Sequence, residues 1–429
     1  MSRNIVICCD GTGNEIEGNL SNVLKLFRIT QKSADQRVYY NPGVGTIGSR
    51  DSWSRLKQNT KAVFGLATGY GLDNDILGAY RFLCDHYEKD DDIFLFGFSR
   101  GAYTVRALAG FIHMVGLLPV DQLNIAHYAL SSYKRASEDD DLSIAWNFTR
   151  IVGGRRVTIK FIGVWDTVAT VIVPRRDRII PMLQTLPYTR KNPSVQVFRH
   201  AMSIDERRRM FRLNRWTSPQ PFVANPFDKA ALPQEQDIKQ VWFAGVHADV
   251  GGGYPELQSG LSKFPLGWMI EEARAHGLKI NVAMRNALVW GHPRKGGRNV
   301  YVKPDPAGKL HKSLTWQWRA LEWIPKSVKW QEWKRWHLLG HYIPNGEPRK
   351  IEDPIHVPVI HESVRERMTA VPAYKPVNMP ANHDVEPSAV GKAAVNRAET
   401  ERFVASVLPI IDELKASGAI DAVAIATKS

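Results

Sequence analysis

The sequence predicts an open, mostly parallel α/β sheet with helices on both faces, and three observations predict it. Apolar runs without polar alternation recur at residues 4–9, 38–41, 93–98, 157–165 and 240–245. Alternation would mark a sheet wet on one side, whereas continuous runs mark strands buried on both. Between these runs lie stretches with helical periodicity. Leu72, Ile76, Leu77, Tyr80, Leu83, Cys84 and Tyr87 share one face, as do Ala102, Val105, Leu108, Ala109, Ile112 and Val115. The third observation is punctuation: each run closes on a polar or glycine-containing turn, the pattern of strands feeding crossover helices.

Composition narrows the class. A chain of 429 residues with 44% hydrophobic content supports a large core, as one large α/β domain or two ordinary ones. No run of about 18 uncharged apolar residues occurs. Met1-Ser2-Arg3-Asn4 leads straight into Ile5-Val6-Ile7-Cys8-Cys9, too short an apolar stretch for a signal peptide. The expectation is a chain that is cytoplasmic as synthesised, with any export by a non-classical secretion route. Cys8, Cys9 and Cys84 form no disulfide framework and lack zinc-site spacing. Asp10, Asp249 and nearby carboxylates are of a type that binds hard cations, yet no spacing compels it, so no cofactor and no metal is expected. The 57 basic against 43 acidic residues give a formal charge of +14, which attracts anionic lipid, nucleic acid or an acidic partner alike. Arginines cluster at Arg175, Arg176 and Arg178 and again at Arg207, Arg208, Arg209, Arg212 and Arg215; solvated faces are the first expectation for both.

The expected organisation is a catalytic domain over 1–285, a Trp/Lys-rich cap over 286–369, and an irregular connector with a closing amphipathic helix over 370–429. Six of thirteen tryptophans fall between Trp316 and Trp336. Pro372, Pro376, Pro380 and Pro387 break the connector, and Phe403, Val404, Val407, Leu408, Ile411 and Leu414 carry the helix, with Pro409 as a kink.

Gly97-Phe98-Ser99-Arg100-Gly101 sits between a buried strand and an amphipathic helix. That context turns a weak G-x-S-x-G pattern into a nucleophile elbow: a strained turn exposes the serine, and the flanking glycines admit close backbone approach. Two later strand ends supply the partners. Residues 159–165 run into Asp166-Thr167, and residues 241–246 run into His247-Ala248-Asp249. Carboxyl ends of parallel strands gather on one edge, so Ser99, Asp166 and His247 are the expected nucleophile, orienting acid and base of an α/β-hydrolase-like site. The N–H of Arg100 and a backbone N–H from Gly11 or Thr12 are the expected oxyanion donors. His361 and Asp249 are the rival base and acid, and His200, within a helix-like stretch, is expected to be structural. Gly43-Val44-Gly45-Thr46-Ile47-Gly48 fits G-x-G-x-x-G, but an irregular polar stretch follows where a dinucleotide fold opens a helix.

Six blocks in order carry a resemblance: Cys9-Asp10-Gly11-Thr12, Tyr40-Asn41-Pro42-Gly43-Val44-Gly45-Thr46, Phe96-Gly97-Phe98-Ser99-Arg100-Gly101-Ala102, Gly163-Val164-Trp165-Asp166-Thr167-Val168, Arg199-His200-Ala201 with Asp205-Glu206-Arg207, and Val246-His247-Ala248-Asp249-Val250-Gly251-Gly252-Gly253-Tyr254. Over roughly residues 3–275 the chain resembles the α/β-hydrolase domain of phospholipase effectors from bacterial type VI secretion, and of related bacterial and fungal proteins. The resemblance implies a phospholipase or related carboxylic-ester hydrolase whose serine, aspartate and histidine map onto Ser99, Asp166 and His247. It makes the 43–48 glycine motif a family loop, and it implies an immunity or adaptor partner where the chain is an effector.

Trp316, Trp318, Trp323, Trp330, Trp333 and Trp336 interleave with lysines and arginines. Packing of the cap onto the core, an anionic-membrane or substrate surface, and a nucleic-acid surface are the readings in descending order. The alternative to an enzyme is a basic nucleic-acid or protein-binding module on a vestigial hydrolase fold.

Overall fold

The computed structural model describes residues 2–11, 19–43, 71–138, 147, 150–168, 171–173, 182–184, 186–223, 232–294, 300–328, 331–353 and 355–388. Its first strand, β1 (Asn4–Cys9), is buried at every position and must lie inside a sheet covered on both faces. It pairs in parallel with β2 (Gln36–Asn41) on one side and β3 (Asp92–Phe98) on the other. From β3 the sheet continues in parallel through β4 (Ile159–Trp165), β5 (Val195–Ser203), β6 (Asp237–Phe243), β7 (Val359–His361) and β8 (Asp384–Glu386). The order is β8-β7-β6-β5-β4-β3-β1-β2. The chain therefore grows one way from β1 to β2, returns, and grows the other way from β3. That reversal opens a crevice between the carboxyl ends of β1 and β3, the place where parallel sheets hold ligands.

Successive side chains of β1 divide between two cores. Ile5 and Ile7 join the cluster formed with α2 (Leu72–His86), α3 (Arg100–Val115) and α4 (Ala126–Glu138), while Val6 and Cys8 join the one formed with α1 (Asn22–Ile29). Helix α3 is buried along its whole length, which explains its apolar, small-residue composition. After β6 come α5 (His247–Gly251), α6 (Lys263–Ala275), α7 (Val282–Leu288), α8 (Trp316–Glu322) and α9 (Glu362–Ala370). Among the described residues no helix is long and apolar enough to cross a membrane.

Several expectations change. His200 lies on a strand, β5, and not in a helix: Val195, Val197 and Phe198 favour extended backbone, and the stretch pairs on both sides. The sheet takes its last two strands from within the stretches read as cap and connector, where three-residue strands leave no periodic signal. Of the arginines near residue 210, Arg207 is exposed, but Arg208, Arg209, Arg212 and Arg215 are partly buried in ion pairs and are not a solvated face. Arg208 and Arg209 side chains are only 12% and 8% exposed, and they pair with Glu206 at 2.8 Å and Glu332 at 2.8 Å. Arg175, Arg176, Arg178, the remainder of the 43–48 motif after Gly43, and the 403–414 helix lie outside the described residues.

Three buried histidines make the fold acid-sensitive. Burial lowers His113 to about 4 and both His200 and His361 to about 3. In the unfolded chain each takes its proton near pH 6.5. Below about pH 6.5 the unfolded state therefore binds more protons, and stability present in full above that pH is lost as pH falls toward 4, by up to about 1.4 kcal/mol per pH unit for each histidine. Urea midpoints are expected to be clearly lower at pH 5 than at pH 7.5; equal midpoints would contradict this.

Candidate active site

Strand β3 ends and α3 begins with a single residue between them, Ser99, held at φ 57 and ψ −118. A non-glycine residue there is strained by about 1–3 kcal/mol, so the surroundings must impose the turn. They do so by close packing. A Cβ on Gly97 would lie 2.6 Å from the backbone of Ala102, and one on Gly101 would overlap the carbonyl oxygens of Cys9 and Asp10. Both glycines are thus fixed by backbone contact, and the second brings the end of β1 against the elbow. The N–H of Ser99 donates to the Trp165 carbonyl at 3.1 Å, tying the turn to the end of β4. Arg100 is the first residue of α3, so its N–H projects beside Ser99 from the positive end of a sixteen-residue helix. Its side chain lies 3.6 Å from Asp75.

Asp166 follows β4 directly. It has a positive φ of 39 and no exposed surface, and its N–H donates to Ala201 at 2.8 Å. Its carboxylate is fully coordinated. Oδ2 is 2.6 Å from His247 Nδ1, and Oδ1 accepts the N–H of Ser203 at 2.9 Å. Arg349 donates to Oδ1 at 2.6 Å and to Oδ2 at 3.0 Å. Burial would push this carboxyl up, yet the Arg349 guanidinium and the His247 ring hold it well below the usual carboxylate range.

His247 opens α5 after β6, and its backbone N–H donates to Glu206 Oε2 at 3.2 Å. Its ring packs between Phe98, the residue before Ser99, at 4.7 Å and Phe211 at 4.8 Å. With Nδ1 turned to Asp166, the ring is the tautomer whose Nε2 carries the lone pair. Burial lowers its basicity, and the bond to Asp166 opposes that. Glu206 is also fully buried; burial raises it, but Arg208 brings it down to about 2. The site thus balances two buried carboxylates, Asp166 and Glu206, against two guanidiniums, Arg349 and Arg208.

The remaining sequence candidates fall elsewhere or on the rim. Asp249 accepts from Val246 N–H at 3.1 Å and lies 2.6 Å from His311 Nδ1, bracing the loop that carries His247. His361 caps α9 through Ser363, stacks on Phe243 at 4.5 Å, and has 1% exposure. The Gly11 N–H donates to Asp10 Oδ1 at 2.7 Å, so that donor is committed within its own turn, and Asp10 also takes the hydroxyls of Ser21 and of Tyr40, the latter at 2.9 Å. Thr12 and Trp330 lie outside the described residues. Trp316, Trp323 and Trp336 are 76%, 65% and 80% exposed. Trp333 is half-buried and donates to Pro348, and half-buried Trp318 meets Phe211 at 5.4 Å. Among the described residues no group of three or more His, Cys, Asp or Glu could hold a metal ion.

Arg349, Phe211 and the pairing of Glu206 with Arg208 were not foreseen. Glu206 stands in one of the six resembling blocks, which was its only signal. Arg349, in Pro348-Arg349-Lys350, has no local pattern at all.

A strand-end serine elbow beside a buried Asp-His pair on a parallel sheet defines an α/β-hydrolase-like class. Residues 3–272 match the model of the type VI secretion Tle1-like phospholipase effector catalytic domain, and the chain belongs to that family. A Saccharomyces cerevisiae protein described as "Uncharacterized protein YEL023C" is 32% identical over 244 residues, which cover 52% of this chain and 34% of that one. Two solved structures at 19% identity overlay loosely. An uncharacterized protein from Pseudomonas aeruginosa gives a TM-score of 0.34, covering 66% of this chain and 47% of that one. The Tle1 effector bound to the VgrG spike gives 0.28, covering 61% and 53%. The chain thus spans about a third of the yeast relative and about half of each solved chain.

The strain at position 99 has a measurable consequence. Ser99→Gly, which relieves the positive φ, is expected to be more stable than Ser99→Ala, which keeps it, by about 1–2 kcal/mol in denaturant titrations. An alanine variant as stable as the glycine variant would contradict the strained elbow.

Proposed function

We propose that the protein is a serine carboxylic-ester hydrolase of acyl lipids, a phospholipase or lipid esterase that works through an acyl-enzyme. The observation that carries this reading is the 2.6 Å bond between buried Asp166 and His247 Nδ1, with the His247 ring packed on the residue that precedes the elbow serine. In the reaction, Ser99 Oγ attacks the acyl carbonyl carbon while His247 Nε2 takes its proton. Negative charge gathers on the carbonyl oxygen and is met by the Arg100 N–H and the α3 dipole. The carbon–oxygen ester bond breaks, His247 returns the proton to the departing alkoxide, and a water activated by the same ring then hydrolyses the acyl-enzyme. Asp166 keeps the proton-bearing Nδ1 turned inward and stabilises the transient imidazolium.

Family membership supports a lipid ester over other esters, and the surface of the tryptophan segment fits it. Trp316, Trp323 and Trp336 point outward among exposed Arg319 and Lys334, while Trp318 reaches Phe211, which touches the His247 ring. Indoles suit the headgroup boundary, and each nearby cation adds about 1 kcal/mol on anionic lipid. A membrane-facing rim therefore joins the site directly. The family's place in type VI secretion makes a spike, adaptor or immunity protein the partner class to test.

A fluorophosphonate probe tests the nucleophile. Wild type is expected to label, Ser99→Ala to lose labelling, and His247→Ala to label about a thousandfold more slowly. His361→Ala is expected to stay near wild type per folded molecule; loss of labelling in that variant alone would move the base to His361. For the rim, the Trp316→Ala, Trp323→Ala, Trp336→Ala triple variant is expected to bind phosphatidylglycerol vesicles about tenfold more weakly while labelling normally. Unchanged vesicle binding would remove the rim from the proposal.

A further inference from the structure

We propose that Arg349 is a positioning residue for acyl transfer: its guanidinium fork fixes both oxygens of Asp166 and so sets the orientation and basicity of His247. This deepens the serine-hydrolase reading and rests on it. Arg349 lies beyond residues 3–272, the part that matches the catalytic-domain family, so the segment that follows that domain completes its site.

The geometry is that of a built clamp. Arg349 Nη1 reaches Asp166 Oδ1 at 2.6 Å, and Nη2 reaches Oδ2 at 3.0 Å, the second being the oxygen that holds His247. The two terminal nitrogens are anchored further. Nη1 also meets Ser203 Oγ at 2.7 Å, and Nη2 donates to the Phe211 carbonyl at 2.6 Å. The Arg349 carbonyl in turn accepts from Asn378 at 2.9 Å, so the backbone is pinned behind the side chain. Arg349 is 6% exposed and Asp166 fully buried. A bidentate fork of this kind constrains the carboxylate plane as well as its charge, which a lysine's single ammonium cannot do.

Charge gives the second half of the argument. A carboxylate without solvent, facing only a neutral imidazole, would gain by taking a proton. Arg349 removes that option and keeps Asp166 an acceptor for Nδ1–H. It also offsets the field that Asp166 exerts on the ring, so His247 stays neutral further into acid. The other charged groups around the pair are Glu206 and Arg208 from the loop after β5, Asp249 on α5 itself, His200 on β5 and Arg106 on α3. Glu206 and Arg208 are paired to each other, which leaves Arg349 as the cation matched to Asp166.

The test is the pH dependence of fluorophosphonate labelling at Ser99 in the full chain, normalised to folded protein by denaturant titration. Arg349→Met is expected to label about 100-fold more slowly at neutral pH, with the acid limb of the rate moved to higher pH because the Asp166–His247 pair, without its cation, takes up a proton more readily. Arg349→Lys, which keeps the charge and loses the fork, is expected to label about tenfold more slowly with the limb near its wild-type position. Wild-type rate and limb in both variants would reduce Arg349 to a structural brace and overturn the proposal. If Arg349→Met does not fold, Arg349→Lys decides: wild-type rate in that variant overturns the need for the fork. Absence of labelling in the wild type is a different failure, because it removes Ser99 as nucleophile.

Discussion

The Asp166 carboxylate has no contact with solvent, and the way its charge is satisfied organises the molecule around it. An isolated carboxylate in such a place would be strongly disfavoured. Here it receives a guanidinium fork, a backbone N–H and an imidazole N–H, each from a different part of the chain. Ser203 ends β5, His247 follows β6, and Arg349 comes from the segment that leads to β7. One buried charge therefore ties three crossovers and the post-domain segment to a single point. Removing any partner leaves a charge that the others must absorb, which makes this cluster more sensitive to substitution than its surroundings.

The sheet topology explains why the cluster stands where chemistry is accessible. Strand order reverses between β1 and β3, so the loops after those strands part and leave a crevice. Ser99 occupies its β3 wall, and the packing of Gly101 against Cys9 and Asp10 brings the β1 wall close. Strain at Ser99 is sustained because α3 is buried throughout and cannot shift to relieve it. The rigid inner face contrasts with the outer rim, where Trp316, Trp323 and Trp336 are exposed. Trp318 and Phe211 connect the two.

How much of this the sequence discloses depends on the range of the interaction involved. Continuous apolar runs and the glycines at 97 and 101 are local features, and they revealed five strands and the elbow. Asp166 and His247 were legible because each follows a strand end, and parallel topology gathers those ends. The β5 strand was missed because Arg199 and His200 interrupt its apolar run, although neighbours on both sides pair with it. β7 and β8 are too short to leave a period. Arg209 and Arg212 misled because their counter-charges, Glu332 for both and Glu347 for Arg209, lie more than a hundred residues away, and composition cannot announce a partner at that distance. Arg349 is the extreme case: its meaning exists only once Asp166 is folded against it.

Buried Asp166 holds His247 at Nδ1, and the proposed reaction needs the tautomer in which Nε2 is left to take the Ser99 proton. Nitrogen-15 NMR of the histidine-labelled full chain tests this most directly, with His247→Gln to assign the ring. The expected result is a neutral ring at pH 7.5 protonated on Nδ1, with that proton lost to the other nitrogen or to exchange in Asp166→Asn. A wild-type ring protonated on Nε2, or charged at that pH, would contradict it.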